Sequence, residues 1–562
     1  MPCAHCEISR PPHHSLPEPR RLKRIVLKTK KAALSRRTLL KTVGVVGVVA
    51  ACAPASTPQG AAVPAPKKTP VKGGSITYAA SSDITTLDPA NASDFTTIAA
   101  INMLYEGLVK YDPDLVIKPS LATEWAMNDK VWTFKLRPGV KFHDGAPFNA
   151  AAVKANIDRM FTTVAADRPL RFTTWTNAQR GIDGIDIVDD LTVRFRTKMT
   201  NPFFLLTVVD NSGFIISPAA ITKFGKDLAR NAVGTGPFKF VEWVKDERFV
   251  AARNDDYWGD KAYLDRVVIR GVPEAETRVI GLEAGDVHMA IRVNPEHVER
   301  IQKNPKLALS IKPTTRHLFM GMAALKKPFS DVRVRQALNY AIDKETITKT
   351  LYLGTADVMN GAAPPGSIGY INPPGFKYDP AKAKQLLADA GYPNGFTTTL
   401  VGPKGSYLKD FELQQAVQQY LKAVGVTVNL QTVEFAKYLE LIREDPKKSS
   451  LEMWQDANGG NDASSAITGR YACDQFRPAG GNTAGFCEAA IDKIAYEAAT
   501  LSDEVKRNAL LKDAQEQISL QAPSIWLVLL KEGAGLSAKV HDVVHIRNSV
   551  LTVNEHTWIE PS

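Results

Sequence analysis

Two histidine-containing segments carry the residue types that acid–base or metal chemistry would need. His143 is followed by Asp144, so an imidazole and a carboxylate could act together as a general acid–base pair. His541 and His545 lie four residues apart, which on a helix would place both rings on one face, as a metal site requires. However, Asp144 precedes a glycine and so marks a turn, and the valines around the second pair predict a strand that separates its histidines. We therefore predict no metal site.

Motifs of common enzyme and nucleotide sites are absent from the sequence. It contains no nucleophile elbow, phosphate loop, zincin helix or dinucleotide fingerprint. The nearest glycine-rich turn, 234–237, ends in Pro237, which lacks the N–H that a phosphate cradle would use. The sequence therefore offers no motif on which an enzyme or a cofactor site could be based. An exported hydrolase that uses one of the two histidine pairs is the alternative.

Cys473 and Cys487 are the two cysteines that follow residue 52. A bond between them would close a loop of about 15 residues and stabilise the chain by about 3 kcal/mol in the chain-entropy model. Export, argued next, would bring them to an oxidising compartment. We predict this disulfide, with two unpaired buried thiols as the alternative.

The first 51 residues have the order of an export signal. A basic region that contains Arg36 and Arg37 precedes a short apolar stretch, and small residues then lead to Cys52. The paired arginines resemble a twin-arginine signal, and the small residues before Cys52 resemble a lipobox, whose cysteine is lipidated. We predict an export signal over 1–51 and lipidation of Cys52. A basic tail before a buried apolar segment is the alternative.

Residues 52–72 are predicted to form a lipid-anchored flexible linker, because five prolines among small and polar residues cannot bury apolar surface. Upstream, Cys3 and Cys6 have a spacing that zinc ligands can share. They precede the signal and would be removed with it, so we prefer an over-extended gene start to a zinc site.

The overall composition is that of an ordinary globular protein. The 562 residues are 44% hydrophobic and 23% charged, which excludes disorder and collagen. No stretch approaches the ~18 apolar residues that a membrane span needs. The net charge of +11 is concentrated in residues 1–51, which hold eleven Lys/Arg and two Glu, so the other 511 residues carry +2. A body so nearly neutral is not predicted to bind nucleic acid.

Hydrophobic periodicity predicts the elements that must position any site. Alternating apolar residues predict strands at 131–136 and 191–195. Asp379 and Pro380 begin a helical pattern that ends at Gly391, and a strand follows near 426–430. Helix alternating with strand predicts an α/β lobe with a largely parallel sheet.

Several sequence blocks, taken in their order and spacing, resemble the extracytoplasmic solute-binding proteins of peptide-type ABC importers, family 5, which includes dipeptide-, oligopeptide- and nickel-binding proteins. The resemblance covers nearly all of residues 73–562. Its blocks are 87–89, 105–109, 118–125, 134–145, 234–238, 253–258, 331–343 and 378–392.

The resemblance implies an α/β, two-lobed periplasmic-binding-protein-like fold of type II, in the large peptide-binding class. Lobe one would comprise 73–314 and 525–562, and lobe two would comprise 315–524. The chain would cross between the lobes near 313–315 and 521–523, where the hinge is expected. A solute that contacts both lobes would drive their closure.

Ligand residues are also expected from the resemblance. In peptide binders of the family, an aspartate lies three positions after a tryptophan, and its carboxylate pairs with the α-ammonium of the peptide. Here Asp456 follows Trp454 by two positions. Asp456 or Asp462 could take an ammonium, with a solvated acidic loop as the alternative. Arg470 and Tyr471 could present a carboxylate fork and an aromatic platform. The strand-end loop of lobe one adds Ser81, Ser82 and Asp83.

The function that the resemblance implies is capture of a peptide or peptide-like solute outside the cytoplasm, with delivery to the permease and ATPase subunits of an ABC importer. Such a protein would not be an enzyme and would bind no cofactor. We expect a monomeric lipoprotein, attached to a membrane by its lipid anchor. A peptide sensor or chaperone on the same fold is the alternative.

Overall fold

The computed structural model describes residues 68–561, apart from 93, 163–174, 176–180, 405, 479 and 548–549. The predicted export signal, the lipidation site Cys52 and most of the predicted linker lie outside the described residues, as do Cys3 and Cys6. Among the helices that the structure describes, none combines the length and the apolar character that crossing a bilayer demands.

Strands and helices are distributed along the whole described chain. The strands are β1 (Ser75–Ala80), β2 (Val109–Tyr111), β3 (Ile117–Pro119), β4 (Ala122–Asn128), β5 (Val131–Leu136), β6 (Ile182–Asp189), β7 (Thr192–Thr197), β8 (Phe238–Val244), β9 (Arg248–Arg253), β10 (Arg266–Gly271), β11 (Met289–Ile291), β12 (Leu307–Met322), β13 (Ala356–Val358), β14 (Thr397–Gly402), β15 (Thr427–Thr432), β16 (Met453–Asn458), β17 (Ser524–Ser537), β18 (Val540–His541), β19 (Val544–Ile546), β20 (Val550–Thr552) and β21 (Trp558–Ile559). The α-helices are α1 (Phe95–Leu104), α2 (Ala150–Thr162), α3 (Phe204–Val208), α4 (Pro218–Phe224), α5 (Ala275–Ala284), α6 (Val298–Lys303), α7 (Val332–Tyr340), α8 (Lys344–Thr350), α9 (Pro380–Asp389), α10 (Asp410–Lys422), α11 (Phe435–Leu441), α12 (Ala463–Tyr471), α13 (Ala489–Ala498) and α14 (Glu504–Gln521).

Local signals in the sequence explain several of these elements. The side chain of Asp379 accepts a hydrogen bond from the amide of Lys382, so it caps α9, and Pro380 occupies the first turn. Gly391, just after the helix, has a φ of 90°, which glycine adopts at little cost. The predicted helix and the predicted strands at β5, β7 and β15 are confirmed.

The largest sheet in the described chain has eleven strands in the order β15-β14-β16-β12-β17-β11-β1-β10-β9-β8, with β13 paired to β17. β14 is parallel to β15 and β16, and β1 is parallel to β10 and β11. The other pairs are antiparallel. The prediction of a largely parallel sheet therefore holds for β15, β14 and β16 and for β10, β1 and β11. It is wrong for the sheet as a whole, because β12 runs antiparallel to both β16 and β17.

β12 and β17 run through both halves of the molecule. On one side of the sheet's midpoint a hydrophobic core gathers around residues such as Ile76 and Phe249. On the other side a separate core includes Met320 and Leu527. The long β12–β17 ladder joins these two cores, so the molecule has two lobes connected by one pair of strands.

The β12–β17 ladder changes register between Pro313 and His317, opposite Lys531 and Leu529. The Thr314 hydroxyl donates to the Leu530 carbonyl at 2.7 Å and accepts from the Arg316 amide at 3.0 Å, so a side chain satisfies backbone groups at the irregularity. One predicted hinge segment, 313–315, lies here, whereas 521–523 lies just before β17 begins. The lobe limits stay a prediction.

A smaller antiparallel sheet, β4-β5-β7-β6, belongs to the first lobe. Near it, a buried ion pair ties the segment after β1 to α2. The Arg159 guanidinium donates to both carboxylate oxygens of Asp88, at 2.7 and 2.8 Å. Burial opposes the charge on Arg159, but the hydrogen bonds and the charge of Asp88 outweigh it and raise the pKa of Arg159.

We expect Arg159→Ala to lower the free energy of unfolding by about 3 to 5 kcal/mol, because it leaves the buried Asp88 carboxylate without its cation. Lys154→Ala is the matched control: it removes an exposed ion pair to Asp158 on the same helix and should cost about 0.3 to 0.5 kcal/mol. Denaturant titration of both variants measures the difference, and equal effects would contradict it.

Candidate ligand-binding cleft

A cavity of about 1000 Å³ lies where the two lobes face each other. The first lobe contributes helix α1, the loop that follows β1, and the segment around Glu106. The second lobe contributes Thr315 and Arg316 of β12, the loop at Tyr407 and the turn that ends at Asn461. This volume is at the upper end of the range for sites that enclose a small organic ligand.

A second cavity, of about 860 Å³, adjoins the first. The residues that line both cavities are Ser81, Ser82, Phe95, Arg292, Arg316, Ser406 and Tyr407. The two cavities therefore meet at a set of hydroxyl, aromatic and guanidinium groups, and together they form one elongated cleft.

Glu106 is a half-buried carboxylate in the cleft wall. It accepts hydrogen bonds from the Thr235 hydroxyl at 2.8 Å, the Tyr257 hydroxyl at 2.8 Å and the Trp258 indole at 2.7 Å. Desolvation raises the pKa of Glu106, and these donors oppose the rise. The carboxylate is thus held in a fixed orientation by neutral groups.

The glycine-rich turn at 234–237 serves packing. A Cβ atom on Gly234 would lie 2.1 Å from the Leu104 carbonyl oxygen, and one on Gly236 would lie 2.5 Å from that of Met103. The close approach brings Thr235 within reach of Glu106 and explains why glycine is needed on both sides.

Two polar contacts join the lobes across the cleft. Asn461 Nδ2 donates to the Tyr111 hydroxyl at 2.8 Å. The Lys409 ammonium lies 3.2 Å from the Glu296 carboxylate. Both contacts can exist only while the lobes lie against each other, so they stabilise that arrangement.

Of the residues predicted to bind ligand, Ser81 and Ser82 line both cavities. Asp83 faces elsewhere: its carboxylate accepts from the amides of Ile84 and Asp246 and from the Trp243 indole. The strand-end loop therefore supplies its two hydroxyls to the cleft and uses its carboxylate to hold neighbouring backbone.

Trp454, Asp456 and Arg470 do not line either cavity. Trp454 is buried on β16, where its ring covers Gly321 of β12. The Asp456 carboxylate, also buried, lies 2.6 Å from the Arg470 guanidinium, which donates as well to the Ala457 carbonyl at 3.2 Å. Burial disfavours the charge on Arg470, but Asp456 outweighs it and raises the pKa of Arg470. The two predicted ligand groups thus neutralise each other.

Tyr471 and Asp462 are also engaged by protein groups. Tyr471 is buried, and its hydroxyl lies 3.0 Å from that of Ser524. Asp462 caps α12 by accepting from the Ser465 amide at 2.7 Å. Nearby, Cys473 and Cys487 are joined by a disulfide, with Cα atoms 4.6 Å apart. For the predicted residues that lie outside the cavity lining, contact with a solute stays a prediction.

The histidines considered for catalysis or metal binding serve the fold in this structure. His143 lies in a turn, with Nε2 3.0 Å from the Gly236 carbonyl and Nδ1 accepting from the Gly234 amide, and burial lowers its pKa to about 4. His541 pairs with Glu560 at 2.7 Å on β18, while His545 is buried on β19. Within the described residues, no three His, Cys, Asp or Glu side chains are grouped as metal ligands.

Sequence reasoning missed Phe95, Arg292 and Arg316, which line both cavities. Arg316 directly follows the predicted hinge segment 313–315, a position that could have marked it as a cleft residue. Arg292 follows β11 with a φ of 51°, and nothing in the sequence nearby indicates that it meets Arg316 across the sheet.

The sequence model for bacterial extracellular solute-binding proteins, family 5 Middle, matches residues 116–475. The glutathione-binding protein GsiB of Pectobacterium atrosepticum is 35% identical over 458 residues, which cover 80% of this chain and 87% of that protein.

Among solved structures, the periplasmic binding protein DppA of Helicobacter pylori, in complex with the peptide STSA, aligns with a TM-score of 0.74 and 28% identity, over 86% of this chain and 99% of that one. MoaA of A. tumefaciens R10, in complex with mannopinic acid, aligns with a TM-score of 0.73 and 27% identity, over 87% and 100%. These similarities confirm the predicted two-lobed α/β fold.

We expect Asp456→Asn to lower the free energy of unfolding by about 1 to 3 kcal/mol, because the half-buried Arg470 guanidinium loses its counter-charge. Solute affinity should change less than about twofold, since Asp456 does not line the cleft. The control Asp186→Asn, in an exposed pair with Arg196, should cost at most about 1 kcal/mol. Denaturant titration and calorimetric binding test both; lost affinity with unchanged stability would instead place Asp456 against the solute.

Proposed function

The chain belongs to the bacterial extracellular solute-binding proteins of family 5, and we propose that it captures a peptide or peptide-like small solute and delivers it to the permease of an ABC importer. Its role is binding rather than turnover. The partners are the permease and ATPase subunits of that importer.

The observation that carries this proposal is a large cleft whose walls come from both lobes. A solute in such a cleft touches all of its partners only when the lobes lie together, so its binding energy favours the closed arrangement. The closed form, with the solute inside, is the form that a permease would recognise.

The ligands of the relatives support a solute class. A 35% identical relative is named for glutathione, and two structural neighbours hold a peptide and mannopinic acid. These ligands share the size of a short peptide and an amino-acid-like backbone with free carboxylates. We take short peptides as the solute class, with glutathione as the first candidate.

Placement outside the cytoplasm on a lipid anchor completes the proposal. Residues 1–51 would direct export, Cys52 would carry the lipid, and 52–72 would serve as a tether, with the folded body acting as a monomer. A tether of this composition would let the body move between capturing solute and docking on the permease.

We expect reduced glutathione or the peptide Ser-Thr-Ser-Ala to raise the melting temperature of the purified full-length chain, because a ligand of the folded state stabilises it by mass action. A concentration of 100 times Kd should add about 2.7 kcal/mol to the free energy of unfolding. Native mass spectrometry should show one solute per chain. Maltose is the neutral control.

An unchanged melting temperature and no bound mass with both peptides would contradict solute capture. Capture without uptake of the labelled solute by cells that carry the protein would favour the peptide sensor or chaperone.

We expect Tyr111→Phe to weaken solute binding by about 2- to 10-fold, because it removes the acceptor for Asn461 and so destabilises the closed arrangement. Tyr496→Phe is the matched control, since that hydroxyl donates to Asp474 outside the cleft, at 2.5 Å. Calorimetric titration measures both variants, and an equal loss of affinity would show that the contact across the cleft does not matter.

A further inference from the structure

Arg316 is a charged group in the cleft wall. It lies on β12 just after the change of register, and it lines both cavities. Its guanidinium carbon is 4.4 Å from the centroid of the Phe95 ring. Among the described residues, no side chain or carbonyl forms a hydrogen bond or ion pair with this guanidinium. Desolvation, with repulsion from Arg292, lowers the pKa of Arg316 to about 10, which leaves it charged near pH 7.

A second guanidinium faces the same ring. The guanidinium carbon of Arg292 lies 4.7 Å from the Phe95 centroid, so one aromatic ring holds two cations at the junction of the cavities. The nearest carboxylate to Arg292 is that of Glu532, 4.0 Å from its Nε and thus at the limit of an ion pair. The junction therefore carries more positive than negative charge.

The third arginine nearby does not share this role. Arg278 donates to the carbonyls of Val272, Pro273, Ile291 and Arg292, at 2.7 to 3.0 Å. These hydrogen bonds hold the backbone around Arg292 in place. Arg278 is thus a positioning residue for Arg292.

The carboxylates on the same walls are engaged by other groups. Asp94 caps α1 through the Thr97 amide at 2.9 Å and accepts from the Thr85 hydroxyl at 2.8 Å. Asp410 accepts from the amides of Ser406 and Tyr407, and Glu296 pairs with Lys409. Glu532, which also lines the second cavity, attracts both Arg292 and Arg316, so this single carboxylate cannot neutralise both guanidinium groups.

We propose, building on the function above, that Arg316 and Arg292 bind a carboxylate of the solute at the junction of the two cavities. A guanidinium presents parallel N–H groups that match the two oxygens of a carboxylate. Phe95 restrains both cations before the solute arrives, which reduces the ordering that binding requires. The solute class is therefore acidic or zwitterionic.

The same geometry gives a rule for selectivity. A neutral analogue of the same shape would desolvate Arg316 without pairing it, so it should bind much more weakly than the acid. Neutral sugars and peptides with blocked carboxylates would be rejected for this reason.

The test compares matched ligands by calorimetric titration of the full-length protein. The first pair is Ser-Thr-Ser-Ala with a free carboxylate and its C-terminal amide. The second pair is reduced glutathione and its diethyl ester. We expect the blocked ligand of a pair to bind about 10- to 100-fold more weakly.

Variants test whether Arg316 causes this difference in affinity between the free acid and the blocked ligand. Arg316→Lys keeps the positive charge but removes the parallel N–H groups of the guanidinium. It should weaken binding of the free acid about 10- to 100-fold while leaving the weak binding of the blocked ligand unchanged. Arg230→Lys is the matched control, because that guanidinium stacks on Trp243 at 3.9 Å outside both cavities. It should bind all ligands as the wild type does.

The melting temperature of a solute-free variant tests separately whether Arg316 is needed for the fold. Arg316→Met removes a desolvated charge that forms no ion pair or hydrogen bond with the described residues, so the melting temperature of the solute-free variant should equal or exceed that of the wild type. A marked fall would mean that Arg316 serves the fold, which would overturn the proposal.

Equal affinity for acid and blocked ligand, or an equal loss for both in Arg316→Lys, would also overturn the carboxylate site while leaving solute capture intact. If the wild type bound neither acid, the proposed function itself would fall, and the carboxylate site would fall with it.

Discussion

The antiparallel pairing of β12 with β17 is the constraint on which the rest of the structure depends. It connects the two lobes, and the separate cores on either side are built onto its two halves. The ladder changes register between Leu318 and Phe319 and also between Pro313 and His317, where a threonine hydroxyl replaces regular backbone bonding. Thr315 and Arg316 lie in this short interval and also line the cleft. The groups that face the solute are therefore placed where the connection between the lobes is least regular.

The charged side chains that this protein removes from solvent fall into two groups. Asp88 with Arg159, and Asp456 with Arg470, are complete pairs that neutralise each other inside one lobe. Such pairs hold segments together, and breaking one is costly because a charge is left in an apolar environment. Arg316 differs because it stacks on an aromatic ring and shares with Arg292 the one carboxylate that attracts it, Glu532. A charge that the fold compensates only in part in a cleft is a natural point of recognition for a ligand of opposite charge.

Apart from the β12–β17 ladder, the polar contacts described above between the lobes are individually weak. The Tyr111–Asn461 hydrogen bond and the Lys409–Glu296 ion pair each involve polar groups that water can also satisfy. Contacts of this strength cannot by themselves commit the molecule to one arrangement. A solute that binds groups on both walls adds the missing free energy, so occupancy and closure become linked.

Much of the architecture was determined by the sequence alone. Period-two and helical patterns located β5, β7, β15 and α9, because these elements depend on local spacing and on the burial of apolar faces. The ordered blocks resembled those of family 5, and that resemblance implied the two-lobed fold. The site was predictable only in part. Ser81 and Ser82 were expected from the same resemblance, in the loop that follows the first strand. The sequence could not show that Asp456 is paired with Arg470, or that Arg292 and Arg316 meet over Phe95. Those relations join residues far apart in the chain, and only the packing of β11, β12 and α1 around one cleft decides which charges are neutralised and which are left for a ligand.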